Sequence, residues 1–179
     1  MSLATVDQMA EVCPTQAADP NAQVWLDQAT ALLQALTGQQ LLPATDERVL
    51  LDSPGGNVLL LPEVPVTDVA QVRVKGVDYT GGEYEWSTDG MVRVVGACAS
   101  WPRGYQAVEV TYSHGFDPIP ADLALAAATL ACRLARTSGG DAPTGAVTFE
   151  AVGAYQVRYS EAGLSSIESA VIGRYRVPA

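Results

Sequence analysis

The amino-acid sequence predicts an α+β fold in which helices pack around a small antiparallel β region. Apolar residues recur at helical spacing over residues 20–36 and over a long alanine-rich stretch that ends near residue 137. Between these two segments, short apolar runs are separated by glycine and proline, which is typical of strands and turns. A last amphipathic segment, residues 164–176, predicts a C-terminal arm and helix. A chain of 179 residues fits one domain with arms.

The first helix is expected to follow Asp19. This aspartate suits the N-cap, and Pro20 suits the first helical position. Gly38 suits the end of the helix, because glycine accepts the left-handed conformation that often terminates helices. Residues 1–18 are predicted to form an N-terminal arm with weak structure, in which LATVDQMAEV favours a short helix.

The β region is expected after Gly38. Strands are predicted in QQLL, ERVLLDS and NVLLLP, and around Val72 and Val74, which alternate with polar residues. Residues 75–76, Lys-Gly, predict a turn, and residues 88–90, Thr-Asp-Gly, predict the tip of a long hairpin. The run AVEVTYS then alternates apolar and polar residues, which predicts a half-buried strand.

The segment YSHGFDPIPADL, residues 112–123, is expected to connect that strand to the long alanine-rich helix. Gly115 permits a sharp exit from the strand, and the two prolines suit a loop and a first helical turn. Asp122 complements the helix dipole in that turn. One apolar face of the helix is made of Leu123, Ala127, Leu130 and Leu134.

These elements divide the chain into three segments. Residues 1–18 are the N-terminal arm, and residues 19–145 are a core of helices and strands that ends in a glycine-rich linker. Residues 146–179 hold a strand, in which Tyr155 and Val157 alternate with polar residues, and the C-terminal helix.

Composition narrows the function classes. The net charge is −10, and Lys75 is the single lysine, so tight binding of a nucleic-acid backbone is disfavoured. No apolar run approaches the roughly 20 residues that span a membrane, and the N-terminus lacks the features of a signal peptide, so a cytosolic origin is expected. Cys13, Cys98 and Cys132 are odd in number and far apart in sequence, which predicts reduced, buried thiols.

No constellation of residues predicts catalysis. His114, the single histidine, follows Ser113, but neighbouring residues of a strand point to opposite faces and cannot pair. No nucleophile motif, phosphate-binding glycine motif or clustered metal ligands accompany them. We therefore expect His114 to be a surface or interface histidine beside a turn, and we expect no catalytic residue, cofactor or metal.

Two blocks of sequence resemble the head–tail connector proteins of long-tailed bacteriophages. VEVTYSHGFDPIPADLALAAATLACRLAR, residues 108–136, has the strand, the glycine turn, the proline-containing loop and the alanine-rich helix ending in arginine. EAVGAYQVRYSEAGLSSIESAVIGRYR, residues 150–176, resembles the C-terminal aromatic strand and helix, and residues 20–36 fit the opening helix. Residues 1–18 and the long β-rich stretch 76–105 depart from the simplest members.

The resemblance implies a structural virion protein, a head-completion adaptor with no catalytic step. Such proteins form a homo-oligomeric ring, expected to be twelve-fold, below the portal protein. The ring extends the DNA channel and offers a platform for a downstream neck or tail-completion protein. DNA passes through without specific binding, and no membrane is involved. The protein is then expected at the head–tail interface of the virion, after assembly in the cytoplasm of the bacterial host.

The resemblance also suggests which residues act. In related connectors the C-terminal segment reaches the portal, and its counterpart here is expected to expose a small apolar face before docking. The candidate portal-docking residues are Leu164, Ile167, Val171, Tyr175 and Arg176. The acid excess suits a channel wall that repels DNA at close range. The candidate channel residues are Glu83, Glu85 and Asp89, on the long hairpin.

Two alternatives stay open. One is another phage neck component, such as a stopper or a tail-completion protein, although those are typically richer in β-structure. The other is a small-molecule-binding or hydrolytic domain that uses His114 with Asp117.

Overall fold

A computed structural model describes residues 1–96, 99–138, 150–152, 155–157 and 165–176. The chain forms two compact units. The helical unit comprises Met1–Thr37 and Ile119–Arg176, and the β unit comprises Gly38–Pro118. Helices and antiparallel sheets are both present, so the predicted α+β class is confirmed. The division follows packing: the first 18 residues share a unit with the long helix and with the C-terminal helix.

Five helices and a two-stranded hairpin belong to the described part of the helical unit. The elements are α1 (Val6–Val12), α2 (Pro14–Ala17), α3 (Ala22–Thr37), α4 (Ala121–Ser138), the strands β8 (Glu150–Val152) and β9 (Tyr155–Val157), and α5 (Ser166–Tyr175). Helix α4 contacts each of the other four helices. Its predicted apolar face is confirmed for Leu123, Ala127 and Leu130, which are buried, whereas Leu134 is partly buried. Among the described residues, no helix combines the length and the hydropathy of a membrane span.

The ends of α3 show what its flanking residues do. The helix begins at Ala22, two residues later than predicted, because the Asp19 carboxylate accepts the Asn21 N–H at 2.7 Å in a turn that precedes the helix. Gly38 follows the last helical residue with φ +76°, as its predicted role as terminator requires.

The N-terminal segment is fixed to α4 by a disulfide. Residues 1–18 form α1 and α2, and their junction at Cys13 packs on α4. Cys13 and Cys132 are both buried, their Cα atoms lie 6.1 Å apart, and their sulfurs are bonded. The prediction of reduced thiols is therefore wrong for these two residues, because packing brings together positions 119 apart in sequence. Cys98 lies outside the described residues.

Two antiparallel sheets form the β unit. The strands are β1 (Ala44–Ser53), β2 (Val58–Leu60), β3 (Val66–Val74), β4 (Val77–Tyr79), β5 (Tyr84–Trp86), β6 (Met91–Val94) and β7 (Gly104–His114). The large sheet has the order β1-β7-β3-β4, and the small sheet has the order β2-β6-β5. The predicted turns are found at residues 75–76 and 87–90, whereas QQLL lies before β1 and is not a strand.

One apolar core joins the two sheets. It includes Leu59 and Val92 from the small sheet and Val108, Val110 and Tyr112 from the large sheet. Alternate residues of β7 are buried, which confirms the half-buried strand that the sequence predicts. Full burial of an aliphatic side chain of this size contributes about 1.5–3 kcal/mol, so this shared core holds the small sheet against the large one.

Candidate functional site

The C-terminal helix α5 is fixed to the helical unit by a buried carboxylate. Glu168 is 1% exposed, and its Oε2 accepts the Ser165 N–H at 2.7 Å and an Arg133 N–H at 2.9 Å. The Ser165 hydroxyl in turn accepts the Glu168 N–H, which completes a capping box at the start of the helix. One glutamate therefore both starts α5 and pairs it with α4.

A second polar contact fixes the other end of α5. The Tyr175 hydroxyl donates to Asp122 Oδ1 at 2.8 Å, and Arg174 donates to Oδ2 at 3.0 Å. Burial alone would raise the pKa of Asp122, but the hydrogen bonds from Tyr175 and Leu123 and the charge of Arg174 hold it below its ordinary value. Burial, followed by the same contact with Asp122, raises the pKa of Tyr175.

The predicted portal-docking residues have different surroundings. Leu164 lies outside the described residues, and Ile167 belongs to α5 but its side chain also lies outside them. Val171 is 7% exposed, so it packs inside the helical unit and is not part of an exposed apolar face. Tyr175 is half-buried on Asp122, and Arg176 is exposed just after the helix.

The predicted acidic residues are all exposed on the hairpin of β5 and β6. The N–H and the hydroxyl of Thr80 donate to Glu83 and lower its pKa. Glu85 forms an ion pair with Arg93 on the neighbouring strand, so its charge is opposed locally. Asp89 lies in the turn that connects the two strands. Glu83 and Asp89 thus lie at the two ends of β5, and the paired Glu85 lies between them.

His114 is buried in the β unit, which makes the prediction of a surface histidine wrong. Its side chain is 0% exposed, and Nε2 lies 2.9 Å from Glu47 Oε2. The residue shares the inward face of β7 with Tyr112, whose ring centroid is 5.2 Å away. Ser113 is on the opposite face, where its hydroxyl accepts the Asp46 N–H at 3.2 Å. The predicted separation of Ser113 from His114 is confirmed, and His114 pairs with Glu47 in place of the hypothesised Asp117.

Within the described residues, no group of three or more His, Cys, Asp or Glu side chains could hold a metal ion. The contacts of the acidic side chains described above are with protein donors: with Thr80 for Glu83 and with Arg93 for Glu85.

Solved structures share this fold. A chain from the neck of an empty gene transfer agent particle, computed with C6 symmetry, is 20% identical with a TM-score of 0.60, over 91% of this chain and 82% of that one. A chain from the neck of the native particle, computed with C12 symmetry, is 19% identical with a TM-score of 0.60, over 100% and 95% of the two chains. At this identity the likeness establishes a common fold.

Sequence comparison establishes the family. The chain is 30% identical over 129 residues to the head completion protein of Escherichia phage T5, covering 68% of this chain and 73% of that protein. The sequence profile named Head completion protein matches residues 1–132. That match includes residues 1–18, so the expectation that they are additional to the family's pattern is wrong, and it ends before residues 150–176. The predicted connector family is thereby confirmed, and the chain belongs to the head completion protein family.

Proposed function

We propose that this protein is a subunit of a ring in the neck of a virion, at the interface between head and tail. Membership of the head completion protein family carries the proposal. The likeness in fold to chains of particle necks computed with six-fold and twelve-fold symmetry supports a ring arrangement. Head-to-tail contacts between identical subunits close into a ring when the rotation from one subunit to the next permits it. We expect twelve copies.

The ring is proposed to dock on the portal protein of the head and to present its other side to a downstream neck or tail-completion protein. The function is mechanical, with no catalytic step and no cofactor. The buried pairing of His114 with Glu47 supports a structural role for that histidine rather than a hydrolytic one. A stopper role is the runner-up, and the family match does not favour it.

The C-terminal segment remains our candidate for portal docking, with a narrower assignment of roles. Val171 is buried, so it is proposed to hold α5 on the helical unit. Arg176 and the exposed edge of Tyr175 are proposed to contact the portal, together with Leu164 and Ile167. A cation at this end of the segment would meet acidic groups of the partner.

Electron microscopy of the protein mixed with its portal tests the ring. A ring of density on one face of the portal is expected, and two separate species would overturn the proposal. For docking, a chain truncated after Glu161 and the variant Arg176→Glu should both bind the portal less tightly. Arg136→Glu, an exposed arginine of α4, is the matched control and should bind like the wild type. If the truncated chain binds the portal as tightly as the wild type, the C-terminal segment does not dock on the portal, and the ring proposal is unaffected.

A further inference from the structure

Tyr105 is an aromatic side chain held out into solvent. It is 90% exposed, whereas Trp86, another partly exposed aromatic residue of the β unit, is 37% exposed. Exposure of a whole aromatic ring forgoes the burial energy that makes such side chains valuable inside proteins and at interfaces. The conformation of the neighbouring backbone fixes the direction in which this side chain projects.

The backbone beside Tyr105 adopts an uncommon conformation. Gln106 has φ +48°, a left-handed conformation that non-glycine residues rarely adopt. Its N–H donates to the Asp52 carboxylate at 2.7 Å, and the pairing of β1 with β7 shifts register between Leu51 and Ser53. Irregularities of this type re-aim a side chain relative to the sheet. The β unit therefore holds Tyr105 at a fixed point on its surface.

The outer face of the small sheet carries an unfilled groove in the same unit. Strand register places Val58, Arg93 and Glu85 side by side on that face, and it places Leu60 opposite Met91. A cavity of about 310 Å³ opens there, lined by Val58, Glu85, Trp86, Ser87, Met91 and Arg93. Val58 is 39% exposed, Met91 is 44% exposed and Leu60 is 68% exposed. Exposed apolar side chains therefore lie on this face beside the ion pair of Arg93 with Glu85.

We propose that Tyr105 of one subunit inserts into this groove of the next subunit, as the contact that repeats around the ring. The proposal rests on the ring proposed above. A head-to-tail interface needs two different, complementary patches on one chain, and Tyr105 and the groove are such a pair. The 90% exposure of Tyr105 shows that it does not fill the groove of its own chain.

The chemistry of the two patches is complementary. The Met91 thioether adapts in shape and packs favourably against aromatic rings. The Glu85 carboxylate accepts a hydrogen bond from a phenol, and the Ser87 hydroxyl and Arg93 guanidinium donate to one. Tyrosine is among the residues enriched at the energetic centres of interfaces, and we expect Tyr105 to dominate the subunit contact.

Photocrosslinking tests the contact directly. p-Benzoylphenylalanine replaces Tyr105, and isotope-labelled and unlabelled copies are mixed before the ring is assembled on the portal. A crosslink from residue 105 to the peptide containing Met91, joining labelled to unlabelled chains, is expected. Rings whose crosslinks go to the portal or to another face would overturn the contact while leaving the ring proposal intact. If the wild type forms no ring, this inference falls with the proposed function.

Substitutions give an independent test. Tyr105→Ala and Met91→Glu should each raise the protein concentration needed for ring assembly at least tenfold, while Tyr105→Phe retains most of the assembly. Val77→Ala is the matched control, because Val77 is 65% exposed in the same unit and outside the groove. Circular dichroism and thermal unfolding establish that each variant is folded.

Mixing the two defective variants distinguishes this contact from a general loss of solubility. Tyr105→Ala keeps an intact groove and Met91→Glu keeps an intact tyrosine, so a mixture can form one good contact per pair. Dimers that grow no further are expected in analytical ultracentrifugation of the mixture. Fully assembled rings from either variant alone, or a mixture with no dimers, would overturn the proposal.

Discussion

At the scale of single residues, Gly115 shows how closely the chain passes itself at the end of β7. It has φ +95°, and its N–H donates to the Pro65 carbonyl at 3.0 Å. A Cβ added here would lie 2.7 Å from the Cα of Pro43, with the carbonyl of Leu42 closer still. These are backbone atoms, which cannot rotate away as a side chain does. Any other residue at this position would therefore raise the free energy of the folded state in two ways, through backbone strain and through steric overlap.

Gly115→Ala should destabilise the β unit by about 3 kcal/mol or more, since backbone strain adds to steric overlap. Gly38→Ala is the control for strain alone: Gly38 has φ +76°, and a Cβ there meets nothing within 4 Å. We expect the control to cost about 1 kcal/mol. Urea unfolding of both variants measures the difference, and equal losses would show that close approach at Gly115 is unimportant.

His114 shows which part of a site is readable from sequence. The alternation of Val108, Val110 and Tyr112 continues to position 114, so the period of the strand places the histidine on the buried face. The neighbouring glycine and prolines favoured a surface turn instead, and the strand period proved the better guide. Its partner Glu47 lies 67 residues away, and no local spacing rule predicts that pairing. Alternation gives the face of a residue, whereas partners depend on sheet order.

At the scale of elements, the link between α4 and α5 is expected to depend on pH. The folded pKa of Asp122 lies below the ordinary aspartate value of about 3.9, so the contact contributes fully above that value. The contribution is lost as the pH falls through the lower, folded pKa. Tyr175 and Arg174 then lose a charged acceptor, and α5 should loosen first.

Hydrogen exchange measures this effect on the amides of α5. Asp122→Asn should destabilise the docked helix by about 1 kcal/mol near neutral pH, the size of an exposed ion pair with an added hydrogen bond. The difference from the wild type should shrink toward pH 3. Asp27→Asn is the control, since Asp27 is exposed on α3 and contacts Gln23 of the same helix. A difference that does not change with pH would contradict the assigned role of the carboxylate charge.

The disulfide makes a second prediction at this scale. It closes a loop of 119 residues that joins the start of the chain to α4. Constraint of the unfolded chain over so long a loop predicts a loss of roughly 5 kcal/mol on reduction. Urea unfolding with and without a reductant measures the loss, and the double variant Cys13→Ser, Cys132→Ser should be insensitive to the reductant. A wild type that responds no more than this variant would contradict the prediction.

Elements were easier to predict than their pairing. The glycine and proline signals placed α3, α4 and the hairpin of β5 and β6 close to their observed bounds, because turns and helix ends are local. The division into two sheets, and the placement of α1 and α2 on α4, depend on contacts between distant segments. Cys13 and Cys132 illustrate this limit: composition predicted free thiols, and only the packing of α1 on α4 shows that they meet.

At the scale of the whole molecule, charge is the property that we connect with DNA passage. The chain carries a net charge of −10. At physiological salt, charges act over about 8 Å, so only acidic groups on the channel wall would repel passing DNA. Of the three predicted hairpin acids, we propose Glu83 and Asp89 for this wall, because Glu85 lines the groove proposed to hold Tyr105 of the next subunit. Hydrogen bonds from Thr80 lower the pKa of Glu83, and Arg93 opposes the charge of Glu85, which gives a second reason to leave Glu85 out of the wall.

Neutralising the two hairpin acids outside the groove, as Glu83→Gln and Asp89→Asn, should slow DNA ejection from assembled particles or make DNA adhere in the neck. The effect on ejection should be the same for any DNA sequence. It should weaken as ionic strength rises, because salt screens the repulsion between the wall and the DNA. The matched control neutralises two exposed acids of the helical unit, Glu11 and Asp27, so that both variants go from −10 to −8. Comparing the ejection kinetics of the two variants distinguishes the effect of where the charge lies from the effect of the net charge. If the two variants eject DNA at the same rate, position has no effect, and the hairpin acids do not line the channel.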